Sequence, residues 1–108
     1  MFSKKSPQDY RKVLDGIELK TLVYGEKTTT TEFRLTKGCK LPDHTHPHEQ
    51  TGYLVSGHMQ LRIAEDTFAV TPGDSWCIPG DVSHGADILE DSVAIEVFSP
   101  VREEYLPK

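Results

Sequence analysis

His44-Thr45-His46-Pro47-His48-Glu49-Gln50 is the stretch on which the reading of this chain turns. Residues 44, 46 and 50 have the same parity, so a roughly extended backbone sends His44, His46 and Gln50 to one face. A fourth donor, His84, lies far downstream in Pro79-Gly80-Asp81-Val82-Ser83-His84. A fold that brings the two stretches together makes a site of three imidazoles and one amide, and the metal ligands are expected to be His44, His46, Gln50 and His84. Such donors suit one divalent transition ion per chain: nickel, zinc, iron, cobalt or manganese. Glu49 is an alternative ligand, but its parity points it the other way. His48 shares the ligands' parity; the strand is expected to bend near Pro47, and His48 is read as a non-ligand. His58 follows Ser56-Gly57 and reads as a solvated surface residue.

Outward from this stretch the pattern is strand and turn. Thr31-Glu32-Phe33-Arg34-Leu35 alternates, with Phe33 and Leu35 on one face and Glu32 and Arg34 on the other. Met59 to Ile63 alternates in the same way. Ser92 to Phe98 sets Val93, Ile95 and Val97 opposite Ala94, Glu96 and Phe98. Turn residues are expected between these runs at Asp15-Gly16, Lys37-Gly38, Ser56-Gly57, Glu65-Asp66, Pro72-Gly73-Asp74, Pro79-Gly80-Asp81 and Glu90-Asp91. Many short strands at near-regular spacing predict an all-β sandwich or barrel. Parallel α/β is excluded because the chain has no room for crossover helices. The one helical candidate is Pro7 to Leu14, where Tyr10, Val13 and Leu14 could share a face.

With 108 residues the chain is expected to be one domain, 1–108, large enough to bury a core without disulfides. Its net charge of −5 argues against nucleic acid, whose binders carry basic patches, and weakly against an anionic membrane surface. No segment approaches the ~18 continuous apolar residues of a membrane span. The first residues lack the apolar run of a secretory signal, so a cytoplasmic location is expected, with Cys39 and Cys77 reduced. Exposed β edges in a small barrel make a homodimer the expected assembly.

The two histidine stretches resemble the two motifs of the cupins. Gly38 through His44, His46 and Gln50 to Gly57 is similar to motif one (about 38–57), framed by glycines around His-x-His and a later ligand. Gly73 through Pro79 and Gly80 to His84 is similar to motif two (about 73–88). The resemblance implies a single-domain cupin β-barrel, the double-stranded β-helix or jelly roll. Three positions depart from the pattern: Gln50 stands where the family usually has Glu, Asp81 replaces a glycine, and Ile88 replaces a terminal Asn. An amide at 50 leaves a bound ion its full charge, which favours Lewis-acid chemistry on an anion. It also removes the carboxylate of the two-histidine, one-carboxylate iron oxygenases.

The ending Glu96-Val97-Phe98-Ser99-Pro100-Val101-Arg102 resembles that of the KdgF-like pectin-degradation cupins, as does His46 to Gln50. There the acidic residue is commonly Asp, so Glu96 is one methylene longer. The resemblance implies an enzyme that converts 4,5-unsaturated uronates, small anionic substrates, to linear 4-deoxy-5-keto uronates. Glu96 and Arg102 would be catalytic, Glu96 moving a proton and Arg102 pairing with the uronate carboxylate. Phe98, with Trp76, would wall the sugar. The alternatives are a metal-binding or sensor cupin without turnover, and a metal-dependent dioxygenase. In a purely structural reading of this ending, Phe98 packs in the core and the two charges are solvated.

Overall fold

The computed structural model describes residues 1–107. Eight strands form one antiparallel sheet that rolls into a barrel: β1 (Arg11–Leu14), β2 (Ile17–Tyr24), β3 (Thr29–Leu35), β4 (Lys40–His44), β5 (Glu49–Ile63), β6 (Asp66–Val70), β7 (Ser75–Ile78) and β8 (His84–Ser99). A 3₁₀ turn, Glu103–Tyr105, follows. The order is β1-β2-β3-β8-β5-β6, with β4 added to β8 and β7 added to β5.

β5 and β8 are the long members, and they pair along their whole length from Glu49↔Ser99 to Ile63↔His84. The second half of β8 carries β3 on its other edge, and the first half carries β4. β5 likewise carries β7 along its first half and β6 along its second. The two long strands therefore serve both walls of the barrel.

They do so by bending. The expected turns at Ser56-Gly57 and Glu90-Asp91 are not turns between strands. They lie inside β5 and β8, where the pairing register shifts between Leu54 and Met59. Gly57 has φ 101° there, and a Cβ on it would sit 2.1 Å from Ser92 Oγ. Ser92 Oγ accepts from the His58 N–H at 3.1 Å and donates to the Glu90 carbonyl at 2.8 Å. Turn-forming residues thus mark the bulge that carries a strand from one wall to the other. His58 consequently lies within β5 and is half-buried.

The expected helix at Pro7 to Leu14 is also absent. Residues 11–14 form β1, paired with β2 through the Asp15-Gly16 turn, and Gly16 takes φ 77°. Ladder bonds to β2 satisfy this backbone, which two turns of isolated helix could not do stably. Tyr10 instead donates to Glu32, and its ring carries the Arg34 guanidinium at 3.7 Å.

The alternations give the interior. Leu35, Met59, Leu61 and Ala94 are buried in one cluster with Ile17, Leu54 and Ile88. Each buried leucine, isoleucine or methionine is worth roughly 1.5–3 kcal/mol on leaving water. From β8, Ala94, Glu96 and Phe98 face this interior, while Val93, Ile95 and Val97 are half-buried outside. A carboxylate therefore shares the inner face with core residues.

Candidate metal centre

Strand pairing brings the two histidine stretches together. His44, the last residue of β4, is the register partner of His84, the first residue of β8. The loop after β4 brings in His46, and Gln50 enters on β5 opposite Phe98. The Pro79-Gly80-Asp81 turn clasps this loop. The Asp81 N–H donates to the His46 carbonyl at 2.8 Å, and a Cβ on Gly80 would lie 2.4 Å from the Pro47 carbonyl oxygen. Asp81, which stands where the motif has glycine, takes φ 64°, a region that Asp tolerates better than most residues.

The side-chain nitrogens of His44, His46 and His84 converge within 4.8 Å of one another. Their rings lie with centroids 4.3 Å apart for His44 and His84, and 4.8 Å for His46 and His84. Each Nδ1 faces a main-chain carbonyl two residues away: His44 to Pro42 at 2.9 Å, His46 to His48 at 3.0 Å, His84 to Val82 at 2.9 Å. A carbonyl only accepts, so each Nδ1 carries the proton and each Nε2 keeps a lone pair for the interior. Burial holds the pKa of His46 and His84 below the usual value, and the charge of Arg102 acts in the same direction.

The donor set fits a cation. His84 Nε2 is buried without a hydrogen-bond partner among the described residues. His46 Nε2 lies 3.0 Å from Gln50 Oε1, and the Gln50 amide nitrogen is already committed to Glu96 at 2.5 Å. Two lone pairs therefore face each other, which repels unless a positive centre lies between them. A cation shared by the two donors would relieve that repulsion. The cluster His44, His46 and His84 can thus hold a metal ion, with Gln50 beside it.

Glu96 sits behind Gln50 on the inner face. Residue 52, opposite Glu96 on β5 and opposite Trp76 from β7, is glycine. A Cβ there would fall 2.2 Å from the Trp76 ring, so the missing side chain makes room for the indole. Glu96 is 7% exposed, and burial pushes its carboxyl up to about 8, against the lowering effect of the Gln50 bond. The Trp76 indole N–H approaches the carboxylate and favours its ionised form, but it makes no bond of full hydrogen-bonding geometry among the described residues.

Phe98 is fully buried, its ring against His46 at a centroid distance of 5.7 Å. Arg102 follows it, with the guanidinium 4.9 Å over Phe98 and 4.3 Å over Tyr105. Its backbone N–H donates to Thr29 Oγ1 at 2.9 Å, which ties the tail to β3. The charges of the ending are thus not both free in solvent: Glu96 is buried, and the Arg102 side chain is only 12% exposed. Arg102 and His44 line one cleft of about 290 Å³, with Tyr105, Phe33, Leu41 and Val13.

Of the residues expected around the substrate, Arg102 alone lines that cleft: Glu96 lines an interior cavity with Gln50, His84 and Phe33, Phe98 is fully buried, and Trp76 lines a separate cleft with Phe68, Val70 and Cys77. Tyr105 and Glu104, which the sequence reading did not single out, also hold Arg102, Glu104 accepting from Arg102 Nε at 2.9 Å. An aromatic residue three positions after the arginine was the available signal. His48 stands outside the cluster, its ring edge-on to both His46 and Phe98.

Residues 31–99 match the cupin domain family. A KdgF structure from a Halomonas species is 30% identical, with a TM-score of 0.92 over 98% of this chain and 98% of that one. An RmlC-like cupin from Shewanella frigidimarina is 27% identical, with a TM-score of 0.92 over 97% of this chain and 95% of that one. A predicted oxalate decarboxylase from Thermotoga maritima shares the fold alone, at 14% identity and a TM-score of 0.81 over 93% of this chain and 99% of that one. Among curated proteins no sequence matches. A jelly-roll barrel whose motif histidines converge inside it, matched over most of its strands, belongs to the cupin family.

Proposed function

We propose that this cupin is a metal-dependent enzyme that opens 4,5-unsaturated uronates to linear 4-deoxy-5-keto uronates. The observation that carries the reading is the placement of Glu96, Phe98 and Arg102 around the histidine cluster, on a chain 30% identical to a KdgF protein. His44, His46, His84 and the Gln50 oxygen would hold one divalent ion, which when bound stabilises negative charge developing on a ring-derived oxygen.

The chain's own residues supply the rest. Arg102, packed against the edge-to-face pair Phe98 and Tyr105, offers its guanidinium to the uronate carboxylate. Phe98, fully buried against His46, keeps the inner side of the histidine cluster apolar. Glu96 takes the proton of the anomeric hydroxyl as the bond from C1 to the ring oxygen breaks. C1 becomes an aldehyde, the ring oxygen leaves as the enolate, and a proton delivered to C4 completes the ketone. Atoms balance as an isomerisation, and a carboxyl whose pKa is raised by burial is suited to holding a proton between these steps.

The test mixes the metal-loaded protein with unsaturated galacturonate and follows the ultraviolet band of the conjugated alkene. The band is expected to decay faster with protein than in buffer. Decay at the buffer rate, with metal fully loaded, overturns the reading and leaves a binding cupin.

A further inference from the structure

Gln50 presents a problem that a carboxylate ligand would not. A carboxylate looks the same from either oxygen, whereas an amide has one face that can bind a cation and one that cannot. Gln50 stands between two groups, each of which meets one end of the amide. On one side is the His46 Nε2 lone pair, 3.0 Å from Oε1; on the other is Glu96 Oε2, 2.5 Å from Nε2. Turned round, the amide would donate to the His46 lone pair, a satisfactory neutral hydrogen bond. That bond would consume the electron pair a metal needs and would aim N–H groups at the ion.

Only the Glu96 side resists this turn. Its carboxylate oxygen accepts and gives the amide N–H a partner in a region where an unbonded donor is costly. Both groups are more than nine-tenths buried, so water does not replace the bond. The cross-strand geometry fixes the contact: Glu96 lies opposite Gly52, diagonally from Gln50, with no side chain at 52 to intervene.

We infer that Glu96 is a positioning residue for the metal ligand Gln50, holding the amide with its oxygen toward His46 so that the two lone pairs open on one space. This rests on the reading that His46 and Gln50 hold the ion. It gives Glu96 a role in the resting protein, before any substrate arrives. It also supplies a reason for a buried carboxyl group beside an amide ligand: its accepting oxygen lies one hydrogen bond behind the donor set and fixes the amide's orientation.

The experiment is a calorimetric titration of the full chain with cobalt(II) and, separately, nickel(II), without substrate. Glu96→Met keeps the bulk and removes the acceptor; Glu96→Gln keeps an acceptor and removes the charge. E96M is expected to bind about 10–100-fold more weakly, and E96Q within about threefold of the parent. In a Gln50→Glu background the ligand has no wrong face, so E96M is expected to cost less than about threefold relative to Q50E alone. The exchanged pair Q50E/E96Q, an amide behind a carboxylate, is expected to bind as the parent does, and it tests the idea even if E96M does not fold.

An E96Q loss as large as that of E96M overturns the inference, because charge alone would then matter. So does an equal E96M loss in the Q50E background, which would mean general packing, and so does an exchanged pair that binds far more weakly. The absorption of bound cobalt gives a second readout, since a nitrogen facing the ion in place of an oxygen changes its visible spectrum. Because no turnover is measured, failure of the uronate assay and failure of this inference are separate results.

Discussion

The Arg102 guanidinium lies 4.3 Å over the ring of Tyr105, a residue of the 3₁₀ turn that the chain makes after its last strand. Phe98 lies against the same group at 4.9 Å, its ring edge-on to Tyr105 at 5.6 Å, and Glu104 accepts from Nε. The turn is itself tied down: Thr21 donates to the Tyr105 carbonyl, and Arg11 Nη2 donates to the Glu104 carbonyl at 2.7 Å. A flexible side chain is thus held with its Nη groups making no hydrogen bond among the described residues. Tyr105→Leu should loosen the guanidinium without removing it. KM for the unsaturated uronate is expected to rise about 2–5-fold, with kcat little changed, because a cation–π contact is worth about 0.5–1 kcal/mol. Arg102→Lys, which loses the planar fork, should raise KM about 10-fold or more. Steady-state kinetics decide; a fall in kcat at constant KM for Y105L would place Tyr105 in the chemistry and not in the clamp.

The bend in the long strands carries a stability expectation. Gly57 has φ 101°, and its absent Cβ would meet Ser92 Oγ at 2.1 Å. Gly57→Ala should therefore destabilise by about 2 kcal/mol or more, through both backbone conformation and collision. Ser92→Ala removes the acceptor of the His58 N–H and the donor to the Glu90 carbonyl, and should cost about 1–2 kcal/mol. Denaturant melts measure both. A G57A protein as stable as the parent would show that the bulge is not held by this contact.

These bends also show where the sequence stopped being informative. Parity alone put His44, His46 and Gln50 on one face and Phe33 with Leu35 on another, because side-chain direction in a strand is local. Parity could not separate a turn that ends a strand from a bulge that redirects one, since both use Gly57 or Glu90-Asp91; the difference lies in the partner strand. The same limit applies to Trp76, whose surroundings depend on Gly52 across the sheet and on no local pattern. Tyr105 escaped notice because the tail has no period to read, and its place is fixed by contacts with β1, β2 and Phe98. Residues 11–14 were misread because two apolar positions fit a helix as well as a strand, and only pairing with β2 decided it.

Glu96 makes the metal-free protein sensitive to pH. Its folded-state pKa of about 8 lies above the ordinary carboxyl value of 4.5, chiefly because burial disfavours the charged form. The folded state therefore binds this proton more tightly than the unfolded state does, and stability falls as pH rises. The favourable contribution is fully present below about 4.5 and is lost progressively up to about 8. His46 and His84, held low by burial, act oppositely and remove stability as pH falls through 6.5. Glu96→Gln isolates the first effect. In chelator-treated protein, the stability of E96Q relative to the parent should increase from pH 5 to pH 8, read as the gap between the two melting temperatures. A constant gap would mean that Glu96 titrates alike in the folded and unfolded chains.

Removal of the metal separates the roles of His84 and His48. His84 Nε2 is buried and faces the His44 and His46 nitrogens, whereas His48 lies outside that cluster and packs edge-on against Phe98. An ion that binds only the folded chain stabilises it by about 2.7 kcal/mol at a hundredfold excess over Kd. Thermal melts with and without nickel or zinc should therefore show a rise for the parent that chelator reverses. His84→Ala should abolish the rise, since one of three converging imidazoles is lost. His48→Ala should keep most of it, although its metal-free melting temperature drops from lost packing. The difference between melts with and without ion is the deciding quantity, because it cancels each variant's own packing defect. A full rise in H84A, or no rise in H48A, would mean that the ion is held by a different set of donors from the one the strand register brings together.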